Sequence, residues 1–248
     1  VMAMDPRYEC CKSSGAMVAI DTETGNILWN HRVEQKPKNV GKGLISRSKK
    51  YAPSGSAVWN SPAVDIKEGR VFFGTGQSLQ SPASNLSDAI ITLDLETGKR
   101  IWSTQTLAGD AYNVGCEVPV VSRMVCPKEN GPDFDFGASV IQSLDINGKK
   151  ILLAGQKSGE VFRLNPDNGE IVWRSRIGNG GLLGGVHFGM ATDQVKLYVP
   201  ISDRWVNRDY DDFARPGLYA VDFESGTILW SVTSDNICKD RKPLYGEG

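Results

Sequence analysis

Two adjacent cysteines and two closely spaced aspartates are the residues of this 248-residue chain whose types and spacing best suit chemistry. Cys10 and Cys11 can bond to each other only in a strained small ring that distorts the peptide between them, and most adjacent cysteines pair elsewhere. Asp133 and Asp135 form a D-x-D pair that can hold calcium, although in a turn rich in Gly and Pro such a pair more often caps a surface loop. The residues alone leave both alternatives open.

The remaining cysteines indicate the cellular compartment in which the protein works. Cys116 and Cys126 flank a loop and are predicted to form a local disulfide, and Cys238 has no assigned partner. Because disulfides persist in oxidising compartments, we expect the periplasm or the exterior of the cell. The two histidines, His31 and His187, come without a Cys-x-x-Cys motif, so the sequence does not support a zinc site.

The overall composition narrows the classes of partner. Hydrophobic residues make up 40% of the chain and charged residues 23%, which is typical of a folded globular domain and not of a disordered chain. The formal net charge of -1 provides no basic field for phosphate backbones, so a nucleic-acid partner is not expected. No apolar run approaches the ~20 residues that a membrane-spanning helix requires, so no membrane span is expected.

A repeat that occurs four times predicts the elements that must position these residues. Short β-rich runs bounded by Gly, Asp, Asn or Pro predominate, and no stretch keeps a helical apolar stripe, which indicates an all-β fold. Each repeat ends in a tryptophan, with a glycine four residues earlier and an Asp or Asn eight residues earlier. The four sets are Asp21, Gly25 and Trp29; Asp94, Gly98 and Trp102; Asn165, Gly169 and Trp173; and Asp222, Gly226 and Trp230.

This spacing has a direct physical interpretation. The Asp or Asn side chain caps the amides of a short turn, the Gly adopts a positive φ, and the Trp lies on the return strand of a β-hairpin. Four large apolar side chains at one structural position require four equivalent buried slots, which a radial array of blades provides. Successive Trp residues are further apart than the roughly 40–45 residues of a propeller blade, so the additional residues must form loops.

Two further strands can be assigned ahead of each later hairpin, which gives four strands per blade. The predicted pairs are Ala57–Val64 and Arg70–Gly74, Gly137–Ser143 and Lys150–Ala154, and Val186–Ala191 and Lys196–Pro200. We therefore predict one partial β-propeller domain over residues 1–248, with a half blade at 16–33 and blades at about 57–106, 136–177 and 186–233. Because an open arc leaves strand edges unpaired, we expect a fragment or a chain that needs a partner half.

The hairpin signature A-x-D-x-x-T-G-x-x-x-W resembles the tryptophan-docking motif of the quinoprotein alcohol dehydrogenases, eight-bladed propellers that bind pyrroloquinoline quinone (PQQ). Outer-membrane assembly propellers share this hairpin without a cofactor, so other segments carry the more specific resemblance, which is to the polyvinyl-alcohol-dehydrogenase-like branch. These segments are DPRYECCKSSGAMVAID, PSGSAVWNSPAVD, RVFFGTG, GDAYNVGC, NGPDFDFGAS, LLAGQKSGEVFRL and GGVHFGMATD. The resemblance covers nearly the whole chain and implies about half of an eight-bladed propeller.

The resemblance implies roles for several residues around a flat cofactor. A Cys10–Cys11 ring would pack on one face of the quinone, and Trp59 would lie under the other face. Lys157 would place its cation against the quinone oxygens and assist catalysis by stabilising charge as hydride arrives. His187 would meet a carboxylate of the cofactor.

The proton acceptor and the metal site depart from the family pattern. The family's base is an aspartate, but the matching residue is Asn113, which cannot accept a proton, and Asp110 is the predicted substitute. Gln77 stands where the family offers calcium a shorter amide. Gln77 and Asn113 are therefore the expected metal ligands, with Asn113 also beside the cofactor. These departures concern catalysis more than cofactor binding.

Two function classes follow from these residues. The first is a PQQ-dependent dehydrogenase that oxidises a secondary or polymeric alcohol by hydride transfer and passes electrons to cytochrome c or another acceptor. The second is a non-catalytic propeller that acts as a secreted or periplasmic binding scaffold, because fold alone does not imply function. A hydrolase is not supported, since no Ser, His and Asp arrangement has a recognisable spacing.

Overall fold

The computed structural model describes residues 12–43, 47, 49–120, 122–203 and 216–234 of the chain. These residues form antiparallel β-sheets almost throughout. Sheet 1 is a hairpin of β1 (Ala16–Ile20) and β2 (Ile27–Arg32), and a separate hairpin consists of β3 (Lys38–Lys42) and β4 (Lys49–Ala52). The all-β prediction is confirmed.

Three four-stranded sheets follow, and in each the strands pair in chain order as an antiparallel meander. Sheet 2 contains β5 (Ala63–Asp65), β6 (Arg70–Gly74), β7 (Ala89–Asp94) and β8 (Arg100–Gln105). Sheet 3 contains β9 (Ile141–Leu144), β10 (Lys150–Gly155), β11 (Glu160–Leu164) and β12 (Ile171–Arg176). Sheet 4 contains β13 (Ala191–Thr192), β14 (Lys196–Ile201), β15 (Gly217–Asp222) and β16 (Ile228–Thr233). The four-stranded units of a partial propeller are thus confirmed.

The turn between the third and fourth strands of each sheet has the predicted chemistry. In sheet 2, the Asp94 carboxylate accepts the Thr97 amide at 2.8 Å, and the Gly98 amide donates to the Asp94 carbonyl at 2.9 Å. Gly98 has a φ of +65°, a conformation that glycine enters without the steric penalty of a Cβ. The turns of the other repeats make the same backbone hydrogen bond.

The tryptophans of the repeat dock on the turn of the following sheet. A Cβ at Gly98 would lie 2.6 Å from the ring of Trp29, whose indole N–H donates to the Leu95 carbonyl at 2.9 Å. In the same way, the Trp102 indole N–H donates to the Pro166 carbonyl of sheet 3 at 2.9 Å. Trp29 and Trp102 therefore each join one sheet to the next by both packing and a hydrogen bond.

The last two tryptophans differ from the first two. The ring of Trp173 lies against Gly226 of sheet 4, but its indole nitrogen has no hydrogen-bond partner among the described residues. Trp230 lies on the outermost strand of sheet 4 and is 41% exposed. Sheet 4 therefore presents an apolar face of the kind that receives a neighbouring sheet elsewhere in the chain.

The hydrophobic core lies between neighbouring sheets, which pack face to face. In β6, Val71 and Phe73 pack in the cluster shared with sheet 1, whereas Phe72 packs in the cluster shared with sheet 3. In β10, Leu152 faces sheet 2 and Leu153 faces sheet 4. This alternation is the period of two that places successive strand residues on opposite faces. Sheets 2 and 3 are packed on both faces, and this packing holds in place the strand ends from which the loops extend.

The first strand of each four-stranded sheet begins later than predicted. Sheet 2 begins at Ala63 instead of Ala57. The residues before Ala63 are held by hydrogen bonds of the Asn60 side chain and do not pair with β6 as a strand. The Asn60 amide nitrogen donates to the carbonyls of Gly74 and Phe136 at 2.9 and 2.7 Å. These irregular segments carry several of the predicted site residues. The hairpin of β3 and β4 was not predicted, since its lysine-rich strands lack apolar alternation.

The connection between β8 and β9 contains a 3-10 helix (Val114–Glu117) and a short helix α1 (Ser122–Val125). A disulfide joins Cys116 of the 3-10 helix to Cys126, the residue that follows α1, which confirms the predicted local bridge. None of the helices that the structure describes is long and apolar enough to cross a membrane.

Candidate functional site

The predicted site residues lie in loops at one end of the sheets. In an antiparallel meander, the loop between the second and third strands and the connection leading into a first strand lie at the same end. Gln77 and Lys157 lie in loops of the first kind, in sheets 2 and 3. Trp59, Asp110 and His187 lie in connections of the second kind. The tryptophan-docking turns lie at the opposite end.

Lys157 is a buried lysine held between two carboxylates. It lies in the turn after β10 and is only 3% exposed. Its Nζ lies 2.5 Å from Asp133 Oδ2 and 3.5 Å from Asp135 Oδ2. The backbone supports the same contact, because the Lys157 amide donates to the Asp135 carbonyl at 3.0 Å. Lys157 is therefore part of a buried charged cluster and is not a solvated turn lysine.

The interpretation of Asp133 and Asp135 as caps of a surface loop is wrong, because each is only 5% exposed. Burial, and then the Asp135 carboxylate, raises the pKa of Asp133 to about 8, against the opposing effect of the Lys157 ammonium. Asp133 therefore keeps its proton to a higher pH than an exposed aspartate does, and it releases the proton as the pH rises further. We call Asp133, Asp135 and Lys157 the charged cluster.

Trp59 borders the charged cluster with an exposed indole ring. Its indole N–H donates to Asp135 Oδ2 at 3.2 Å, and the residue is 38% exposed. The ring lies against Gly137, where a Cβ would overlap the indole, so only glycine permits this approach. The arrangement presents a flat aromatic surface beside a buried ammonium.

His187 packs against Trp59, with the ring centroids 5.7 Å apart and the planes inclined by 58°. Its Nδ1 is buried and has no hydrogen-bond partner within the described part of the chain. Burial, and then the Lys157 ammonium, lowers the pKa of His187, so the imidazole is neutral at pH 7. A buried ring nitrogen without a partner is suited to a polar group of a ligand.

Asp110, the predicted substitute base, uses its carboxylate to bind backbone amides. Oδ1 accepts the Asp133 amide at 3.3 Å, and Oδ2 accepts the Phe134 amide at 2.8 Å. The residue is fully buried, and this burial raises its pKa. Asp110 is therefore next to the charged cluster but is shielded from a substrate.

The expected metal ligands have other contacts. Asn113 holds its own loop together, because its Oδ1 accepts the Gly115 amide at 2.9 Å and its Nδ2 donates to the Val125 carbonyl at 3.1 Å. Gln77 contributes a backbone amide, which donates to Asp135 Oδ1 at 2.8 Å. Across the described ranges, no group of three or more His, Cys, Asp or Glu residues is arranged to hold a metal ion. The Asn113 side-chain oxygen is bound to its own loop and does not fit a preformed calcium site, so we derive no chemistry through a metal.

The same region fits a flat, polar cofactor such as PQQ. An exposed indole face, an unpartnered imidazole nitrogen and a buried ammonium lie side by side, and these groups belong to Trp59, His187 and Lys157. They are the residues that the resemblance places against the quinone. Cys10 and Cys11, which the resemblance places on its other face, lie outside the described residues.

A further carboxyl group near the cluster was not predicted. Asp88 is fully buried, and neither of its oxygens makes a hydrogen bond of good geometry among the described residues, although the Ser87 side chain lies close to the carboxyl group. Burial, and then the carboxylates of Asp110 and Asp135, raises the pKa of Asp88 well above its usual value. Its φ is +49°, and the equivalent position in the next repeat is Gly159, with φ +79°. The sequence signal for Asp88 is an aspartate at a position where another repeat has glycine.

Four-stranded antiparallel sheets that stack face to face through docking tryptophans define a β-propeller of the tryptophan-docking class. A family model described as "Glucose/ethanol/alcohol dehydrogenase, beta-propeller domain" matches residues 2–177. The chain belongs to this PQQ β-propeller family, and the resemblance seen in the sequence is confirmed. A second family model, for the outer membrane protein assembly factor BamB, matches residues 136–248.

Curated relatives and solved structures give the same assignment. A polyvinylalcohol dehydrogenase of Sphingopyxis sp. (strain 113P3) is 38% identical over 96% of this chain and 36% of its own length. A polyvinylalcohol dehydrogenase of Pseudomonas sp. is 36% identical over 92% of this chain and 35% of its own length, so the chain spans about a third of these relatives. The crystal structure of quinohemoprotein alcohol dehydrogenase from Comamonas testosteroni shares the fold, with a TM-score of 0.63 and 18% identity over 92% of this chain and 43% of that one.

Proposed function

We propose that this protein is a PQQ-dependent dehydrogenase that oxidises a secondary or polymeric alcohol. The observation that carries the proposal is the buried Lys157 ammonium, held by Asp133 and Asp135 beside the exposed Trp59 indole. When bound, PQQ supplies the two-electron acceptor for the hydride. Membership of the PQQ β-propeller family and similarity to polyvinylalcohol dehydrogenases support the same function.

The pair of Asp133 and Asp135 is the proposed acceptor of the alcohol's hydroxyl proton. Asp135 lies nearer the aromatic surface, because the Trp59 indole donates to its Oδ2. A general base works best when its pKa lies near the working pH, and the raised pKa of Asp133, about 8, meets that condition. The pair takes the role that the sequence assigned to Asp110, whose carboxylate is enclosed by backbone amides.

Lys157 has two proposed roles. It holds the two carboxylates in place through its ion pairs, and it offers a fixed positive charge to oxygens of a ligand that lies on Trp59. Such a preorganised charge in a buried site stabilises developing negative charge without reorganisation. The neutral His187 imidazole supplies a nitrogen for a polar group of the same ligand.

The substrate, the electron acceptor and the location are part of the proposal. Similarity to polyvinylalcohol dehydrogenases favours a secondary or polymeric alcohol, with cytochrome c or another acceptor taking the electrons. The disulfide between Cys116 and Cys126 favours an oxidising compartment, the periplasm or the exterior of the cell.

A non-catalytic binding scaffold is the second candidate function. The match of residues 136–248 to the model for the assembly factor BamB favours it. The absence of an ionisable side chain at Asn113 points the same way, because this position matches the base of the dehydrogenases.

Reconstitution of the full-length protein with PQQ, with and without calcium chloride, separates the two functions. For a dehydrogenase, we expect a quinone absorbance that survives gel filtration and bleaches on addition of a secondary alcohol. Lys157→Met should abolish bleaching, whereas Lys150→Met should retain it. Lys150 is the matched control, since it pairs with Asp65 at 2.5 Å at the opposite end of β10. A wild-type protein that neither retains nor bleaches the quinone would be a scaffold.

A further inference from the structure

Asp110 is a buried carboxylate that binds two consecutive amides of the segment carrying the charged cluster. Its Oδ1 accepts the Asp133 N–H at 3.3 Å, and its Oδ2 accepts the Phe134 N–H at 2.8 Å. The residue is 0% exposed, and a Cβ at Gly131 would overlap its carboxylate. The carboxylate is therefore enclosed by the backbone that it binds.

The segment that Asp110 binds has an unfavourable backbone conformation. Asp133 has a φ of +62°, in the left-handed region where a side chain with a Cβ meets a steric penalty. A residue in this region persists only where surrounding contacts determine it. The amides of Asp133 and Phe134 flank the Cα of Asp133, and these are the two that Asp110 holds. Asp110 therefore fixes the peptide units from which the Asp133 side chain projects.

The same contacts connect the loop between β6 and β7 with both ends of the β8–β9 connection in a closed ring of hydrogen bonds. The Ser78 amide donates to the Asp110 carbonyl at 2.9 Å, and the adjacent Gln77 amide donates to Asp135 Oδ1 at 2.8 Å. Asp110 closes the ring through the Phe134 amide. A shift of the Asp110 carboxylate would therefore move both carboxylates of the charged cluster relative to its ammonium.

We propose that Asp110 is a positioning residue that holds the charged cluster in a reactive geometry through the backbone of Asp133 and Phe134. The catalytic meaning of this geometry rests on the proposed function, whereas the backbone restraint does not. Asp110 is not the proton acceptor, because its oxygens accept amides and face no solvent.

Asp110→Asn tests the proposal in the full-length protein. The new amide group places an N–H against one of the two backbone N–H groups, so one hydrogen bond is lost while size is kept. We expect kcat to fall about 10- to 100-fold with little change in KM, because a small displacement of reacting groups costs that much. Amide hydrogen exchange at Phe134 should accelerate by about tenfold or more.

Two further variants separate positioning from general damage. Gly131→Ala keeps the charge of Asp110 but displaces its carboxylate, so it should reproduce both effects even if Asp110→Asn folds poorly. Asp203→Asn is the matched control, because the buried Asp203 carboxylate accepts the amides of Asn179 and Gly180 at 2.6 and 3.0 Å in another loop. It should accelerate exchange in that loop and leave Phe134 unchanged.

The outcomes distinguish the two proposals. If wild-type protein shows no alcohol oxidation but Phe134 exchange still accelerates in Asp110→Asn, the backbone restraint stands and the proposed function fails. Unchanged exchange at Phe134 in both Asp110→Asn and Gly131→Ala would overturn the positioning role. Complete loss of turnover with Phe134 exchange intact would also overturn it, because Asp110 would then act on the substrate directly.

Discussion

Replacement of Asp88 by glycine should stabilise the fold. Asp88 combines a fully buried carboxyl group, two oxygens that make no hydrogen bond of good geometry among the described residues, and a φ of +49°. Glycine occupies the equivalent position at Gly159 with a φ of +79°, so Asp88→Gly gives this repeat the residue that another already uses. The change removes a polar group that is costly to bury and a side chain that is costly at positive φ.

The gain follows from the separate contributions. A buried polar group without a partner costs about 1–3 kcal/mol, and left-handed backbone costs about 1–2 kcal/mol for a residue with a Cβ. Greater freedom of glycine in the unfolded chain offsets about 0.5–1 kcal/mol. A net gain of about 1–4.5 kcal/mol follows. Each kcal/mol raises the Tm by roughly 2–4 °C for a domain of this size.

The gain should also depend on pH. Because the folded protein raises the pKa of Asp88, it keeps a proton that the unfolded chain loses above about pH 4. The wild type therefore loses stability as the pH rises from 4, by up to about 1.4 kcal/mol per pH unit from this group, and Asp88→Gly does not.

Thermal unfolding of the wild type, Asp88→Gly and Asp88→Asn at pH values from 4 to 8 measures this. Asp88→Asn keeps the shape and the positive φ, so it should match the wild type near pH 4 and exceed it near pH 8. An Asp88→Gly protein that is less stable than the wild type at pH 7, with Asp88→Asn equal to the wild type at every pH, would refute the reasoning.

Three further predictions concern the candidate site. Lys157→Ala should lower the free energy of unfolding by about 3–5 kcal/mol in denaturant titrations at pH 8, because it leaves buried carboxylates unpaired. The loss should be smaller at pH 5, and an equal loss at both pH values would contradict this. Gly137→Ala should weaken quinone retention about tenfold or more in equilibrium dialysis, because the new methyl group displaces Trp59, whereas Gly189→Ala, where a Cβ meets open space, should not. The value of kcat/KM should rise with pH up to about 8, since the raised pKa of Asp133 keeps the proposed base protonated at lower pH, and a flat pH-rate profile would contradict that role.

The hairpins could be predicted from the sequence because their chemistry is local. The capping carboxylate of Asp94, the positive φ of Gly98 and the return strand with Trp102 all lie within nine residues, and the structure places each as expected. The same reasoning placed Cys116 and Cys126 in one bridge. Features that depend only on residues close together in the sequence could be predicted from the sequence.

The charged cluster was less accessible because its burial comes from distant segments. Asp133 and Asp135 look like caps of a polar turn until Lys157, from the turn between β10 and β11, covers them. Asp110 was recognised as important by its proximity to the family's base position, but its binding to the Asp133 amide depends on how two ends of one long loop fold together. A sequence identifies such residue types, and only the packing of loops assigns their roles.

Docking by tryptophan gives the array of sheets a direction. The Trp29 indole binds Leu95 of the next sheet, and the Trp102 indole binds Pro166 of the sheet after that. Each of these sheets therefore contacts the following sheet through its own tryptophan. A unit inserted in reverse would present its ring to the wrong neighbour and lose the contact on both sides. Units could therefore be exchanged between propellers that carry the same hairpin, provided that each keeps its orientation, its turn glycine and its indole.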